Sequence, residues 1–278
     1  MTILKKSIEE LKGIANDIRK DIVTMVYKAQ SGHPGGSLSC ADIMAALYFY
    51  KLNVDPKNPK WEDRDRFVLS KGHACPALFP ALVMRGFVDD DCLKNFRSVK
   101  SQYPSTPSTC MPGVDMSSGP LGQGLSVAVG MALAARVQGK SYKTYCVMGD
   151  GETQEGQVWE ALMTGAKYQL GNLICILDNN KIQMCGTNEE IMPLGDICKK
   201  YESFGWRVIH IDGHDMQQIV DALDSVDDNP VGAPTMIVAE TIKGKGVSFM
   251  EGTAAWHGKA PSDEQYAQAM KELGGEKE

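Results

Sequence analysis

The chain has 278 residues, 43% of them hydrophobic, and a formal net charge of −6. This length suits one large domain or two small ones with a sizeable core. The acidic balance argues against nucleic-acid binding, because duplex binders concentrate Lys and Arg to neutralise phosphates. The eight cysteines include no Cys-x-x-Cys pair, which disfavours a zinc site and a redox dithiol. The N-terminal segment has no signal-peptide pattern, so we expect a cytoplasmic protein that binds neither nucleic acid nor membrane.

Helices and strands are predicted to alternate along the chain. Apolar residues spaced along one helix face predict a helix from Ile8 to Ala29, and Ser39 to Asp42 resembles a capping box that opens a helix over 43–50. The other predicted helices cover 73–85, 121–138, 155–170, 197–204 and the segment after Asp215, and the predicted strands cover 66–70, 145–148, 173–177, 207–211 and 235–240. Residues 98–119 form a long loop rich in Ser, Thr and Pro, which is typical of a functional or mobile segment.

Two polar clusters follow the second and third predicted strands. They are Gly-Asp-Gly at 149–151 and Asp-Asn-Asn at 178–180, each of which alone is also common turn chemistry. Their spacing predicts a β-α-β unit, and ligands of such sheets bind beyond the carboxyl ends of the strands. Asp150 and Asn180 supply hard oxygen ligands, which Mg²⁺ or Ca²⁺ accepts together with phosphate oxygens. Gly151 and the amides at the start of the following helix suit a bound diphosphate.

Four segments of the chain, taken in order, carry a family resemblance. They are Ser31-Gly-His-Pro-Gly35, Phe67-Val-Leu-Ser-Lys-Gly-His-Ala74, Gly119-Pro-Leu-Gly-Gln-Gly124, and the paired clusters up to Lys181-Ile182. The paired clusters are similar to the thiamine diphosphate and metal motif of thiamine-dependent enzymes, and the four segments together look like transketolase. The resemblance implies the thiamine diphosphate-binding fold, a doubly wound, mostly parallel α/β sheet with helices on both faces. It implies one diphosphate-binding domain over 1–278, with a charged C-terminal tail over 262–278.

The resemblance also implies roles for individual residues. The expected ligands of Mg²⁺ or Ca²⁺ are Asp150, Asn180 and the backbone carbonyl of Ile182. The expected catalytic residues, suited to moving protons on and off sugar oxygens, are His33, His73 and His257. The expected thiamine diphosphate contacts are His73, Gly119, Pro120, Leu121, Gly149, Asp150, Gly151, Glu155, Asn180 and Lys243. Glu155 also matches a family glutamate at the contact between subunits.

The resemblance covers only part of a whole transketolase, which has a diphosphate-binding, a pyrimidine-binding and a C-terminal domain. It therefore implies the N-terminal subunit of a split transketolase, active only with a C-terminal subunit that carries the pyrimidine-binding domain and its glutamate. We expect an α2β2 assembly that transfers a two-carbon ketol unit from a ketose to an aldose. Two alternatives are the α subunit of a 2-oxoacid dehydrogenase or related synthase, and a non-catalytic cofactor-binding scaffold.

One departure from the family lies in the loop before Gly113. Transketolases usually have a His-Pro there, whereas residues 102–112 of this chain contain no histidine. A family contact to the sugar is therefore missing. This departure predicts a ketose donor other than the common sugar phosphates, such as a sulfonated or branched sugar.

Overall fold

A parallel sheet forms the centre of the molecule. The computed structural model describes residues 4–229 and 232–275. The strands in this part of the chain are β1 (Arg66–Leu69), β2 (Thr144–Gly149), β3 (Leu173–Asn179), β4 (Arg207–Asp212) and β5 (Thr235–Glu240). They are hydrogen-bonded in the order β1-β2-β3-β5-β4, and the four pairings are parallel. The carboxyl ends of β2, β3 and β5 therefore meet at one edge of the sheet, with β1 beside β2.

Helices of very different length connect the strands. In chain order they are α1 (Ile8–Ala29), α2 (Pro34–Leu38), α3 (Ala41–Ala46), α4 (Cys75–Arg85), α5 (Asp91–Lys94), α6 (Gln123–Val137), α7 (Gly156–Lys167), α8 (Asn188–Ile191), α9 (Ile197–Ser203), α10 (Met216–Ser225) and α11 (Asp263–Glu272). A π-helical turn over Leu47–Lys51 extends α3. In the described part of the chain, 3₁₀ turns cover Gly72–Ala74, Gly151–Gln154 and Ala254–Trp256.

Both faces of the sheet are covered, because successive side chains of each strand point to opposite sides. In β3, Ile174 and Ile176 pack in a core with α1, α3, α4, α10 and α11. Cys175 and Leu177 pack in a second core with α6, α7 and α9. β3 is buried along its whole length, which explains why its sequence is an apolar run without alternation. The expected doubly wound α/β fold is confirmed.

The N-terminal helix begins and ends where the sequence predicted. Ser7 and Glu10 form a capping box at its start, with the Ser7 amide donating to the Glu10 carboxylate at 2.8 Å.

The predicted capping box over Ser39 to Asp42 is wrong. α3 begins at Ala41, and the Ser39 hydroxyl donates instead to the carboxylate of Asp178 at 2.5 Å, with Gly36 O at 3.1 Å from the same oxygen. A tertiary contact has replaced the local cap.

The segment after Pro261 contains α11, which packs against α1. The rings of Tyr266 and Tyr27 stack with centroids 4.1 Å apart, and Met270 is buried. Residues 276–278 of the predicted tail lie outside the described residues. Within the described part of the chain, no helix is long and apolar enough to cross a membrane.

α6 approaches the end of β1 closely at a glycine. A Cβ atom built on Gly124 would lie 2.4 Å from the Ser70 Cβ and 2.7 Å from its Cα. Ser70 directly follows β1 and precedes Lys71, so this contact sets the distance between α6 and the loop that carries His73. Gly130, on the same helix, has no atom within 4 Å of its built Cβ.

We predict that Gly124→Ala lowers the free energy of unfolding by about 1–3 kcal/mol, because the added methyl group overpacks the interface with Ser70. Gly130→Ala is the matched control and is expected to be neutral or stabilising by about 0.5–1 kcal/mol, since alanine favours the helix and meets no neighbour. Urea unfolding of both variants measures the difference. Equal stability of the two variants would contradict the close-packing account.

Candidate active site

A cavity of about 450 Å³ opens at the carboxyl edge of the sheet. The loops after β1, β2, β3 and β5 meet there with the loop before α2 and the segment before α6. The residues expected from the sequence that line it are His33, His73, Gly119, Leu121, Gly149, Asp150, Gly151, Glu155, Asn180, Ile182, Lys243 and His257. Pro120 is an exposed residue between Gly119 and Leu121 and does not line the cavity. The structure thus brings together residues that are far apart in the sequence.

The three expected metal ligands present oxygen atoms at the ends of β2 and β3. Asp150 is 3% exposed, and its Oδ1 accepts a hydrogen bond from the Gly151 amide at 2.7 Å. Asn180 Oδ1 accepts from the Ile182 amide at 3.1 Å, which places the amide oxygen beside that loop. A carboxylate, an amide and a backbone carbonyl are the hard donors that Mg²⁺ and Ca²⁺ prefer. Within the described residues no group of three or more His, Cys, Asp or Glu could hold a metal.

The charge of Asp150 is sensitive to its surroundings. Burial and the nearby Asp178 carboxylate raise the pKa of Asp150 to about 6, against the opposing effect of three hydrogen-bond donors. Those donors are the amides of Gly151 and Lys181 and the side chain of Asn188. A bound cation would offset both the burial and the repulsion. The carboxylate is therefore placed where a positive ligand stabilises it.

Three histidines converge on the cavity. The ring centroids of His33, His73 and His257 lie 5.2–5.4 Å apart. Burial, followed by the charge of Lys71, lowers the pKa of His73 to about 3, and burial, followed by the charge of Lys243, lowers that of His257 to about 4. Burial and then Arg97 lower the pKa of His33 as well. All three rings are therefore neutral near pH 7, able both to donate and to accept hydrogen bonds.

Within the described residues His33 Nδ1 is buried without a hydrogen-bond partner. The His33 ring lines the cavity, whereas this nitrogen itself is shielded from solvent. The other two histidines of the chain, His210 and His214, do not line the cavity.

Lys243 connects the loop after β5 to the loop after β3. Its Nζ donates to the carbonyls of Ile182 at 2.9 Å and Gln183 at 3.0 Å, and to His257 Nδ1 at 2.9 Å. The last bond leaves the proton of the neutral His257 ring on Nε2. Burial lowers the pKa of Lys243 to about 8, so the ammonium form still predominates at neutral pH. A positive group therefore faces the cavity where an anionic ligand is expected.

Sequence reasoning missed a buried ion pair beneath the cavity. Lys71 and Asp178 are 2% and 0% exposed and form a direct ion pair. The remaining partners of the pair are Gly36 O, Ser39, Thr241 and the Asn180 side-chain amide. Burial opposes both charges, yet the partner's charge raises the pKa of Lys71 and lowers that of Asp178. The available signal was a carboxylate ending the apolar run of β3.

Glu152 is a second buried carboxylate that was missed. It accepts hydrogen bonds from Ser70, from the Gly122 amide at 2.8 Å and from the Gly149 amide at 3.1 Å. Its carboxylate therefore connects the segment before α6, through Gly122, to the ends of β1 and β2, through Ser70 and Gly149. Its place in the 3₁₀ turn just after the Gly-Asp-Gly cluster was visible in the sequence, but its partners were not.

The loop over 98–119 lies next to the histidines. Ser105 O accepts a hydrogen bond from Cys75 Sγ at 3.5 Å, and Pro107 O accepts from the Ser118 amide at 3.2 Å. Cys75 follows His73 by two residues, and Ser118 precedes Gly119. The middle of the loop, around Thr106, therefore lies beside two segments that line the cavity.

The chain matches a family and several characterised proteins. The family is described as the transketolase thiamine diphosphate binding domain, and its model matches residues 11–278. One subunit of an apulose-4-phosphate transketolase of Phocaeicola vulgatus is 44% identical over 269 residues, covering 96% of this chain and 94% of that protein. One subunit of a 6-deoxy-6-sulfo-D-fructose transketolase of Clostridium sp. (strain MSTE9) is 43% identical over 265 residues, covering 95% of this chain and 96% of that protein.

The fold agrees with these matches. The crystal structure of transketolase from Campylobacter jejuni superposes with a TM-score of 0.92 at 36% sequence identity, covering 98% of this chain and 44% of that chain. Human transketolase is 36% identical over 270 residues, covering 97% of this chain and 43% of that protein. The chain therefore belongs to the transketolase family, and the match lies in its thiamine diphosphate binding domain.

Proposed function

We propose that this chain is the diphosphate- and metal-binding subunit of a two-subunit transketolase, which transfers a two-carbon ketol unit from a ketose to an aldose. The observation that carries the proposal is the meeting of Asp150, Asn180 and the Ile182 carbonyl with three neutral histidines in one cavity. The family match favours this function over the 2-oxoacid dehydrogenase alternative. The charged and hydrogen-bonded site favours catalysis over a scaffold role.

The residues present fit thiamine diphosphate with Mg²⁺ or Ca²⁺. Asp150, Asn180 and Ile182 line the same cavity as Lys243, whose ammonium donates to the Ile182 carbonyl. At Gly151 a built Cβ would lie 3.0 Å from the Gln183 side chain, so a larger residue there would require that side chain to shift. When bound, the cofactor supplies the carbon nucleophile that attacks the ketose carbonyl.

The residues of the chain bind the cofactor and position the substrate. Asp150, Asn180 and the Ile182 carbonyl hold the cation, and Lys243 neutralises diphosphate charge. His33, His73 and His257 are neutral and close together, so their ring nitrogens donate and accept hydrogen bonds at sugar hydroxyls. The cavity walls orient the substrate and exclude water.

A second chain, the C-terminal subunit, is expected to complete this active site. Two relatives that this chain matches over 94% and 96% of their length are named as transketolase subunits. Apolar side chains are exposed at the rim of the cavity, with Leu121 38% and Met184 67% exposed. We propose that a C-terminal subunit with the pyrimidine-binding domain covers this rim, and that two such pairs form an α2β2 assembly with the exposed Glu155 near the contact between them.

The cellular compartment is part of the proposal. All eight cysteines lie within the described residues and are free, which suits a reducing cytoplasm. Two of them, Cys110 and Cys185, are exposed.

We predict that the isolated chain has no ketol-transfer activity and gains it on mixing with a C-terminal transketolase subunit, because the pyrimidine-binding domain supplies a glutamate that activates the cofactor. A coupled assay of aldose consumption, with thiamine diphosphate and Mg²⁺ present, measures this gain. Asp150→Ala in the same mixture is the matched control and removes the activity. Turnover by the chain alone at the rate of the mixture would overturn the split-subunit proposal.

The donor substrate is proposed to differ from the common sugar phosphates. The names of the two relatives contain apulose 4-phosphate and 6-deoxy-6-sulfo-D-fructose, which supports this proposal for the present chain. The loop over 98–119 contributes no histidine and lies against the segments of His73 and Gly119. An enzyme that lacks one hydrogen-bonding side chain in its site discriminates differently between sugars that differ in the substituent which that side chain would contact.

We predict that the reconstituted enzyme has a higher kcat/KM for a 6-sulfonated ketose or a branched ketose phosphate than for fructose 6-phosphate or xylulose 5-phosphate. Thr106→His returns a histidine to the part of the loop beside Cys75 and is expected to shift this ratio at least about tenfold toward the ordinary sugar phosphates.

Thr109→His is the matched control, because Thr109 is exposed in the same loop. This variant is expected to leave the substrate ratio unchanged. A wild-type preference for the ordinary sugar phosphates would refute the substrate proposal, while leaving the cofactor site untouched.

A further inference from the structure

The two carboxylate oxygens of Asp150 have different surroundings. Oδ1 accepts one hydrogen bond, from the Gly151 amide at 2.7 Å. Oδ2 accepts two, from the Lys181 amide and from the Asn188 side-chain Nδ2 at 3.0 Å. Asp150 and Asn188 are 3% and 4% exposed, so the bond between them is shielded from water. Both lone pairs of Oδ2 are thus engaged by the protein, and Oδ1 keeps one for a cation.

The orientation of the Asn188 amide is itself fixed. Gln183 Nε2 donates to Asn188 Oδ1 at 3.0 Å, so that Nδ2 is the atom directed at Asp150. The backbone amide of Asn188 also donates to Lys181 O at 2.8 Å. An antiparallel bridge between Ile182 and Thr187 closes the same segment. Asn188 therefore lies at the base of a short hairpin whose other strand carries the Ile182 carbonyl.

Asn188 does not line the cavity, so it has no direct route to a ligand there. We infer that Asn188 is a positioning residue, which holds the Asp150 carboxylate in one orientation and ties it to the loop of the Ile182 carbonyl. The two oxygen ligands are then presented to the cation together. This inference rests on the proposed metal site. Groups that orient metal ligands typically contribute a factor of about 10–100 to metal affinity.

The test is calorimetry of thiamine diphosphate binding to the reconstituted complex at a series of fixed Mg²⁺ concentrations. Asn188→Ala is expected to raise the half-saturating Mg²⁺ concentration by about 10–100-fold, because Asp150 loses its fixed orientation. At saturating Mg²⁺ the affinity for thiamine diphosphate is expected to return to within about threefold of wild type. If the alanine variant does not fold, Asn188→Ser replaces it, since serine is also too short to reach Asp150.

Glu190→Ala is the matched control in the same hairpin. Glu190 caps α8, accepting from the Thr187 amide at 2.9 Å, and has no contact with Asp150. Its loss is expected to change the Mg²⁺ requirement by less than about threefold. Thermal unfolding of the cofactor-free chain reports the structural cost of each variant separately.

The outcomes separate this inference from the proposal beneath it. An equal rise in Mg²⁺ requirement in Asn188→Ala and Glu190→Ala would overturn the positioning role, because the hairpin would then act only as a structural support. An unchanged Mg²⁺ requirement in Asn188→Ala, with a raised one in Asp150→Ala, would overturn the role of Asn188 alone. An unchanged requirement in Asp150→Ala would overturn the proposed metal site itself.

Discussion

The buried ion pair between Lys71 and Asp178 holds together the loops that form the cavity. Lys71 follows β1 and also donates to Gly36 O at 2.8 Å, while Asp178 in β3 accepts from Ser39, from Thr241 after β5, and from the Asn180 amide at 3.3 Å. His33, His73, Asn180 and Lys243 lie at or within three residues of these contacts, and His257 accepts a hydrogen bond from Lys243. Removing one member of such a pair leaves a buried charge without its partner, at a cost of about 3–5 kcal/mol. The loops beyond β1, β3 and β5 therefore depend on this pair for their relative positions.

The same pair sets the electrostatics of the site. The Lys71 charge adds to burial in keeping His73 neutral, and the Asp178 charge adds to burial in raising the pKa of Asp150. The Asp178 carboxylate accepts from Asn180 Nδ2, so Asn180 Oδ1 is the atom left for the loop of Ile182 and for a cation. The buried Asp178 carboxylate thus orients the Asn180 side chain. It also raises the pKa of Asp150, so that the charge of Asp150 depends on a bound cation. Three neutral histidines and the oxygen atoms of the proposed cation site thus lie around one cavity.

Local sequence patterns predicted α1 and the five strands, because their apolar spacing and flanking turns agree with their burial. The expected site residues, apart from Pro120, were also found to share one cavity, because parallel strands end at a common edge. Partners distant along the chain could not be predicted in this way. Ser39 was interpreted as a cap because its acceptor, Asp178, is 139 residues away. Lys71 was overlooked because its partner, the same Asp178, is 107 residues away, and Asn188 because its acceptor, Asp150, is 38 residues away.

We propose that Asp150, Asn180 and the Ile182 carbonyl hold the cation that anchors thiamine diphosphate. Anomalous diffraction from crystals grown with thiamine diphosphate and Mn²⁺ in place of Mg²⁺ tests it most directly. We expect a single manganese peak about 2.1–2.3 Å from one oxygen of each of these three residues, with diphosphate oxygens completing the shell. A manganese peak bound elsewhere, with the three oxygens uncoordinated, would contradict it.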